Sequence, residues 1–237
     1  MPYISIQLKA IAISLEVLLQ YPAVVMPAAS VSQPVWGDTS FYVALVLIIF
    51  AILFGTRHID NTERHEGMVA AIAFESMLKL LAFLAIGFFV TFGLFNGFGD
   101  LFRQAAANPD LARLMSFDAI PGGGYIDWLA LTFLCMMAFL FLPRQFQVLV
   151  VENVNEGHIL KATWLFPLYL LIINLFVLPI AFAGLLLFDN TSVDADTFVL
   201  ALPMVEKQQA LALLVFLGGL SAATSMIIVE TVALFPP

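Results

Sequence analysis

The chain has 237 residues, 62% of them hydrophobic and 11% charged, with a formal net charge of −8 and a mean hydropathy of +1.02. A water-soluble domain is excluded, because one small core cannot hide that much apolar surface, and the acidity excludes nucleic acid and a polybasic membrane anchor. The single cysteine, Cys135, leaves no disulfide framework.

What remains is a polytopic, all-α membrane protein whose solvent is the lipid bilayer, with about six transmembrane helices expected. Crossing a hydrocarbon core of ~30 Å takes ~20 helical residues, and most of the apolar runs are about that long. The first run, Ile4–Leu19, follows Met1 without a basic leader or a small-residue cleavage site, so no cleavable signal peptide is expected. It carries Lys9 and Glu16 two turns apart, on a face shared with Ser5 and Gln20. A snorkelling or interfacial role is favoured for that stripe over a buried, water-lined one. The second run, Phe41–Leu53, is apolar throughout.

The third run, Met68–Phe95, is long enough to tilt, and its Gly- and Phe-rich tail is expected to reach the outer interface. It holds the sharpest polar feature of the chain. Glu75 and Lys79 lie one turn apart with the acid first, the favourable order for an intrahelical pair. A charge at a helix centre costs ~2.5–3.5 kcal/mol on insertion scales, so intramembrane charge reads as function by default. The two readings are a cavity-facing site that binds an ion or relays a proton, and a self-neutralised pair that locks helix packing.

Gly97–Asp127 is polar enough to be a loop, closed by the turn Pro121–Gly124. The fourth run, Trp128–Leu142, meets Pro143, which is expected to kink or end it. The fifth, Trp164–Phe188, contains Pro167, expected at an N-terminal helix position, and Pro179, expected at a kink. Asp189–Gln209 is again expected as a loop. In the last run, Leu211–Leu234, Ser221, Thr224 and Ser225 share one face. Hydroxyls and freed carbonyls are the hard oxygen ligands that Na⁺ needs. Beside Gly218, Gly219, Ala222 and Ala223, however, the spacing favours ordinary small-residue packing.

Orientation follows the basic residues. The loops holding Arg57 with Arg64, and Arg144 with Lys161, are expected on the cytoplasmic side. The loop histidines His58, His65 and His158 form no metal set, and no hydrolase, P-loop or kinase motif is present, so no enzyme activity is expected.

Several stretches resemble a known family. Pro2 to Ile11 is similar to the end of a long core helix in sodium:solute symporters. Asn61-Thr62-Glu63-Arg64-His65-Glu66-Gly67 is similar to that family's cytoplasmic loop motif, with Thr62 and Glu63 at its centre. Leu220-Ser221-Ala222-Ala223-Thr224-Ser225 resembles its Na⁺-binding helix. The runs from Phe54 to Met68, Leu142 to Glu156 and Trp164 to Asn174 look more closely like the symporter-type membrane domain of hybrid sensor histidine kinases, which act in two-component signalling.

The resemblance implies a partial inverted-repeat (LeuT-like) symporter fold, with residues 1–237 forming a single transmembrane domain. That domain would correspond to core helices three to eight of a larger parent, of which the chain is expected to be a fragment. It also implies a multi-pass protein of the bacterial inner membrane and ion-coupled uptake of a small organic solute such as an amino acid. The alternatives are a sensor region feeding a downstream kinase module without net transport, and an inactive fragment. No cofactor is implied beyond Na⁺ or H⁺ as coupling ion. Ser221 matches the first hydroxyl of the family's Na⁺ site, but Ala222 stands where the second should be, leaving at most a degenerate site. Lys79 offers an ammonium that could replace Na⁺ and make coupling proton-driven.

Overall fold

The computed structural model describes residues 2–27, 35–37, 39–55, 66–116, 124–141, 153, 155, 157–188 and 193–234. Among them there is no strand. The helices, in chain order, are α1 (Pro2–Leu19), α2 (Thr39–Gly55), α3 (Glu66–Phe88), α4 (Phe98–Ala107) and α5 (Pro109–Leu114). They are followed by α6 (Tyr125–Phe141), α7 (Gly157–Asn174), α8 (Val177–Leu187), α9 (Phe198–Val205) and α10 (Gln209–Leu234). Three described stretches are long and apolar enough to cross a membrane: Ala73–Leu94, Gly157–Leu187 and Gln209–Ile227.

The chain divides into two compact units, residues 1–86 with 190–237, and residues 87–189. In the first unit, α1 packs on α2 and α10, and α10 also packs on α9. One core cluster joins Ile11, Ala223 and Ile227, with Leu8, Val43 and Leu220 around it. A second joins Val17, Leu200, Met204 and Ala212. The backbone of α10 comes close to α3 at Gly218, where an added Cβ would stand 2.6 Å from Ala82 Cβ. Only small residues permit that approach, which is how helices pack when lipid supplies no hydrophobic drive between them.

The second unit is built on aromatic rings. Phe98 of α4 stacks on Phe176 at 5.7 Å between centroids, and Phe102 meets Phe182 of α8 edge-on at 5.8 Å. Apolar residues at helical spacing, Phe98, Leu101, Phe102 and Ala105, make α4 amphipathic, with Leu101 and Ala105 fully buried. Its first turn is tied by Asp100, which accepts from the Asn96 backbone N–H at 3.2 Å and from Arg103 at 2.7 Å.

Four expectations change. Met68–Phe95 is not one uniform helix: α3 continues from Phe88 into a π-helical turn, Phe89–Leu94, and ends in extended backbone at Phe95. Gly97 (φ 100°) then returns its N–H to the Thr91 carbonyl at 2.8 Å. Gly97–Asp127 is not simply loop, since α4 and α5 lie within it. Asp189–Gln209 likewise contains α9, whose Phe198 and Leu200–Met204 are buried.

The two prolines of the fifth run are placed otherwise than expected. Residues 157–187 are split at Leu175–Phe176, and Pro179 sits in the first turn of α8, where its missing N–H has no intrahelical partner to lose. Pro167 lies inside α7, because that helix starts upstream at Gly157, whose N–H is accepted by Asn155 Oδ1 at 2.8 Å. Pro121, Pro143, the loop motif Thr62–Glu63 and the basic residues Arg57, Arg64 and Arg144 lie outside the described residues.

Candidate solute and ion site

The first unit holds a cavity of about 360 Å³ between α1, α3, α9, α10 and the Ala195–Thr197 turn. Small residues make room for it: Ala82 on α3 and Gly218, Gly219, Ala222 and Ala223 on α10 all reach its wall. Most of the wall is apolar and includes Phe83 and Phe216. The polar side chains on it are Gln7 and Ser14 of α1, Lys79 of α3, and Asp196 and Thr197 of the turn. An apolar enclosure with a few polar groups of both charge signs has the composition of a small-solute site.

Lys79 is the sequence candidate that lines the cavity. Glu75, one turn earlier, is joined to α10 by a hydrogen bond with the Ser225 side chain, and the Lys79 ammonium acts on it electrostatically. Glu75, Lys79 and Ser225 therefore belong to one constellation. One carboxylate oxygen, Glu75 Oε2, is completely buried and has no hydrogen-bond partner.

Ser221 and Thr224 are placed differently. The Thr224 hydroxyl donates back to the Leu220 carbonyl at 2.6 Å and is 3.0 Å from the Ser221 carbonyl, as mid-helix threonines commonly do. Ser221 is half-buried, and neither it, Thr224 nor Ser225 is among the cavity's described lining residues. The described residues include no group of three His, Cys, Asp or Glu able to hold a metal ion.

On α1 the charged stripe and the cavity-lining residues are different sets. Lys9 and Gln20 are exposed, whereas Gln7 and Ser14, two turns apart, line the cavity. The signal for these two in the sequence is a seven-residue spacing of uncharged polar residues on an apolar helix. Asp196 was also missed as a site residue. Its backbone N–H is accepted by Asp194 Oδ1 at 3.2 Å, and the Thr197 hydroxyl donates to the Asp194 carbonyl at 2.7 Å. The Asp-x-Asp-Thr spacing of such a turn was visible, but not its position beside α1 and α10.

Outside this unit, Thr91 in the π-helical turn is fully buried, and its hydroxyl oxygen has no partner. Comparison with family models, with curated proteins and with solved structures finds no match to this chain.

Proposed function

We propose that the chain forms a multi-pass, sodium:solute symporter-like membrane region of the bacterial inner membrane, built on a partial LeuT-like arrangement. On this reading the cavity of the first unit receives a small organic solute, such as an amino acid, for ion-coupled uptake or transport-coupled sensing. The observation that carries it is the cavity itself: an apolar enclosure holding Lys79 and Asp196, walled partly by α3 and α10, whose apolar lengths suit a bilayer. An intramembrane ionisable pair next to a cavity is the usual mark of a solute or ion path. The residues from Phe54 to Met68, which resemble kinase-linked symporter domains, favour a second form of the reading, in which solute occupancy is reported to a downstream kinase module with no net transport.

The test is uptake of radiolabelled amino acids and other small organic solutes by proteoliposomes containing the protein, with Na⁺ and pH gradients imposed separately. Lys79→Ala should abolish uptake or remove its pH dependence. Uptake unchanged in rate and pH dependence by Lys79→Ala would remove Lys79 from the coupling mechanism. Solute binding without uptake would favour the sensor form.

A further inference from the structure

We infer that the cavity of the first unit recognises its solute by an ammonium group, held by the Asp196 carboxylate with Phe83 and Phe216 beside it. The inference rests on reading that cavity as a solute site and names the chemical class it takes, a small organic ammonium. Two carboxylates belong to the Ala195–Thr197 turn. That of Asp194 caps it, accepting the Asp196 backbone N–H at 3.2 Å. That of Asp196 lines the cavity and, among the described residues, has no hydrogen bond or ion pair. Asp196 is exposed while Thr197 next to it is buried, so the carboxylate stands at an open edge of the cavity.

The two rings line the same end. Leu200, four residues after Asp196, belongs to the core cluster on which Phe216 packs. Helices α3 and α10 run antiparallel, because Glu75 bonds Ser225 while Ala82 meets Gly218. Phe83, the residue after Ala82, is therefore level with Phe216 rather than with Glu75. Lys79 lies one turn of α3 further in, beside Gly218, and its ammonium acts on the Glu75 carboxylate of its own helix. The charge left for a solute at the outer end is that of Asp196. A bare metal cation collects several oxygen ligands, and this end offers it little beyond one carboxylate. The Thr197 hydroxyl already donates to the Asp194 carbonyl. An organic ammonium asks for less: one counter-charge, and aromatic faces whose quadrupole attracts a cation. The volume of about 360 Å³ is at the small end of ligand sites, which run from ~300 to ~1,000 Å³, and suits a solute the size of an amino acid or a short alkylamine.

The experiment is thiol labelling of the whole chain in lipid nanodiscs, which leave both membrane faces open. A Cys135→Ser background carries Val199→Cys, on the cavity wall three residues from Asp196. Ala222→Cys, on the same wall, repeats the reading if Val199→Cys fails to fold. Rates are read with a quaternary-ammonium methanethiosulfonate and with its sulfonate counterpart. Relative to a free thiol, the ratio should favour the cation by roughly fivefold, and Asp196→Asn should return it to the free-thiol value. Tetramethylammonium should slow the labelling more than sodium at equal ionic strength, and Phe216→Leu should weaken that protection by roughly threefold. No cationic preference, a preference that survives Asp196→Asn, protection by tetramethylammonium no better than by sodium, or protection unchanged in Phe216→Leu would each overturn the proposal. Labelling at the free-thiol ratio leaves the cavity open to water, so the solute reading stands without its ammonium. A thiol that neither reagent reaches in folded protein removes both.

Discussion

The two units are made from similar apolar residues but fill their interiors in different ways. In the first, glycine and alanine let helices approach so closely that a polar constellation and a cavity are held between α1, α3 and α10. In the second, phenylalanines fill the space, with Phe98, Phe102, Phe176 and Phe182 in ring contact across α4 and α8. Small residues bring backbones together and leave room for polar chemistry beside the contact. Aromatic residues occupy that room themselves, and the second unit keeps one buried hydroxyl, Thr91, with no partner. The first unit therefore has room for a ligand, and the second is filled by its own rings.

That contrast can be broken at its contacts. The largest effect is expected in the second unit at Gly87, where an added Cβ would stand 2.3 Å from Phe176 Cγ. The ring is pinned close to its own Cβ and cannot swing away, so Gly87→Ala should destabilise by about 3 kcal/mol, the upper end for overpacking. Unfolding in mixed micelles measures it, and Phe176→Gly in the same chain, which also removes the Phe176 Cβ that would stand 2.4 Å away, should recover part of the loss.

The corresponding change in the first unit, Gly218→Ala, pushes a methyl group against Ala82. A cost of about 1–2 kcal/mol is expected, because the helices can part slightly toward the cavity. Ala82→Gly should restore stability if that contact is the cause, and a double-mutant cycle reads the coupling.

Thr91→Val should go the other way. Removing a buried hydroxyl with no partner while keeping the side chain's shape should stabilise the protein by about 1 kcal/mol. A loss of stability instead would mean that the hydroxyl is satisfied in the membrane.

The smallest effect is expected at the exposed start of α4. The Arg103 guanidinium and then the Asn96 N–H hold the Asp100 carboxyl below the usual carboxylate range. Its support of the first turn is complete above the ordinary carboxylate range and is lost as pH falls through the lowered value. Amide exchange at Asn96 should therefore quicken only at that lower pH, and Asp100→Asn should flatten the profile.

Much of the helical layout was legible because hydrocarbon-length apolar runs have few alternatives in a polypeptide. The boundaries of α1, α2, α6 and α10 lie within a few residues of the apolar runs that forecast them. The π-helical turn after Phe88 was not legible, since no residue pattern in Phe89–Leu94 marks a change from the α-helical hydrogen-bond spacing. The helix α9 was hidden in a stretch read as polar, because Asp189, Asp194, Asp196 and Glu206 flank a short apolar core, Phe198–Val205. At the site, the i, i+4 spacing marked Glu75 and Lys79. Their partner Ser225 could be listed from its helix face but not separated from Thr224. Which hydroxyl turns inward depends on how α10 meets α3, and that is a tertiary fact.

The measurement closest to the central claim asks whether the cavity of the first unit is open to water within the membrane. Cys135 is the chain's one cysteine, so a Cys135→Ser background carries either Ala222→Cys, on the cavity wall, or Leu213→Cys, on the exposed face of the same helix. Both are treated in proteoliposomes with a hydrophilic maleimide that does not partition into lipid. The account predicts modification of Ala222→Cys and protection of Leu213→Cys by the lipid around it. Protection of Ala222→Cys while Leu213→Cys is modified would mean that the cavity is closed to water and is not a solute site.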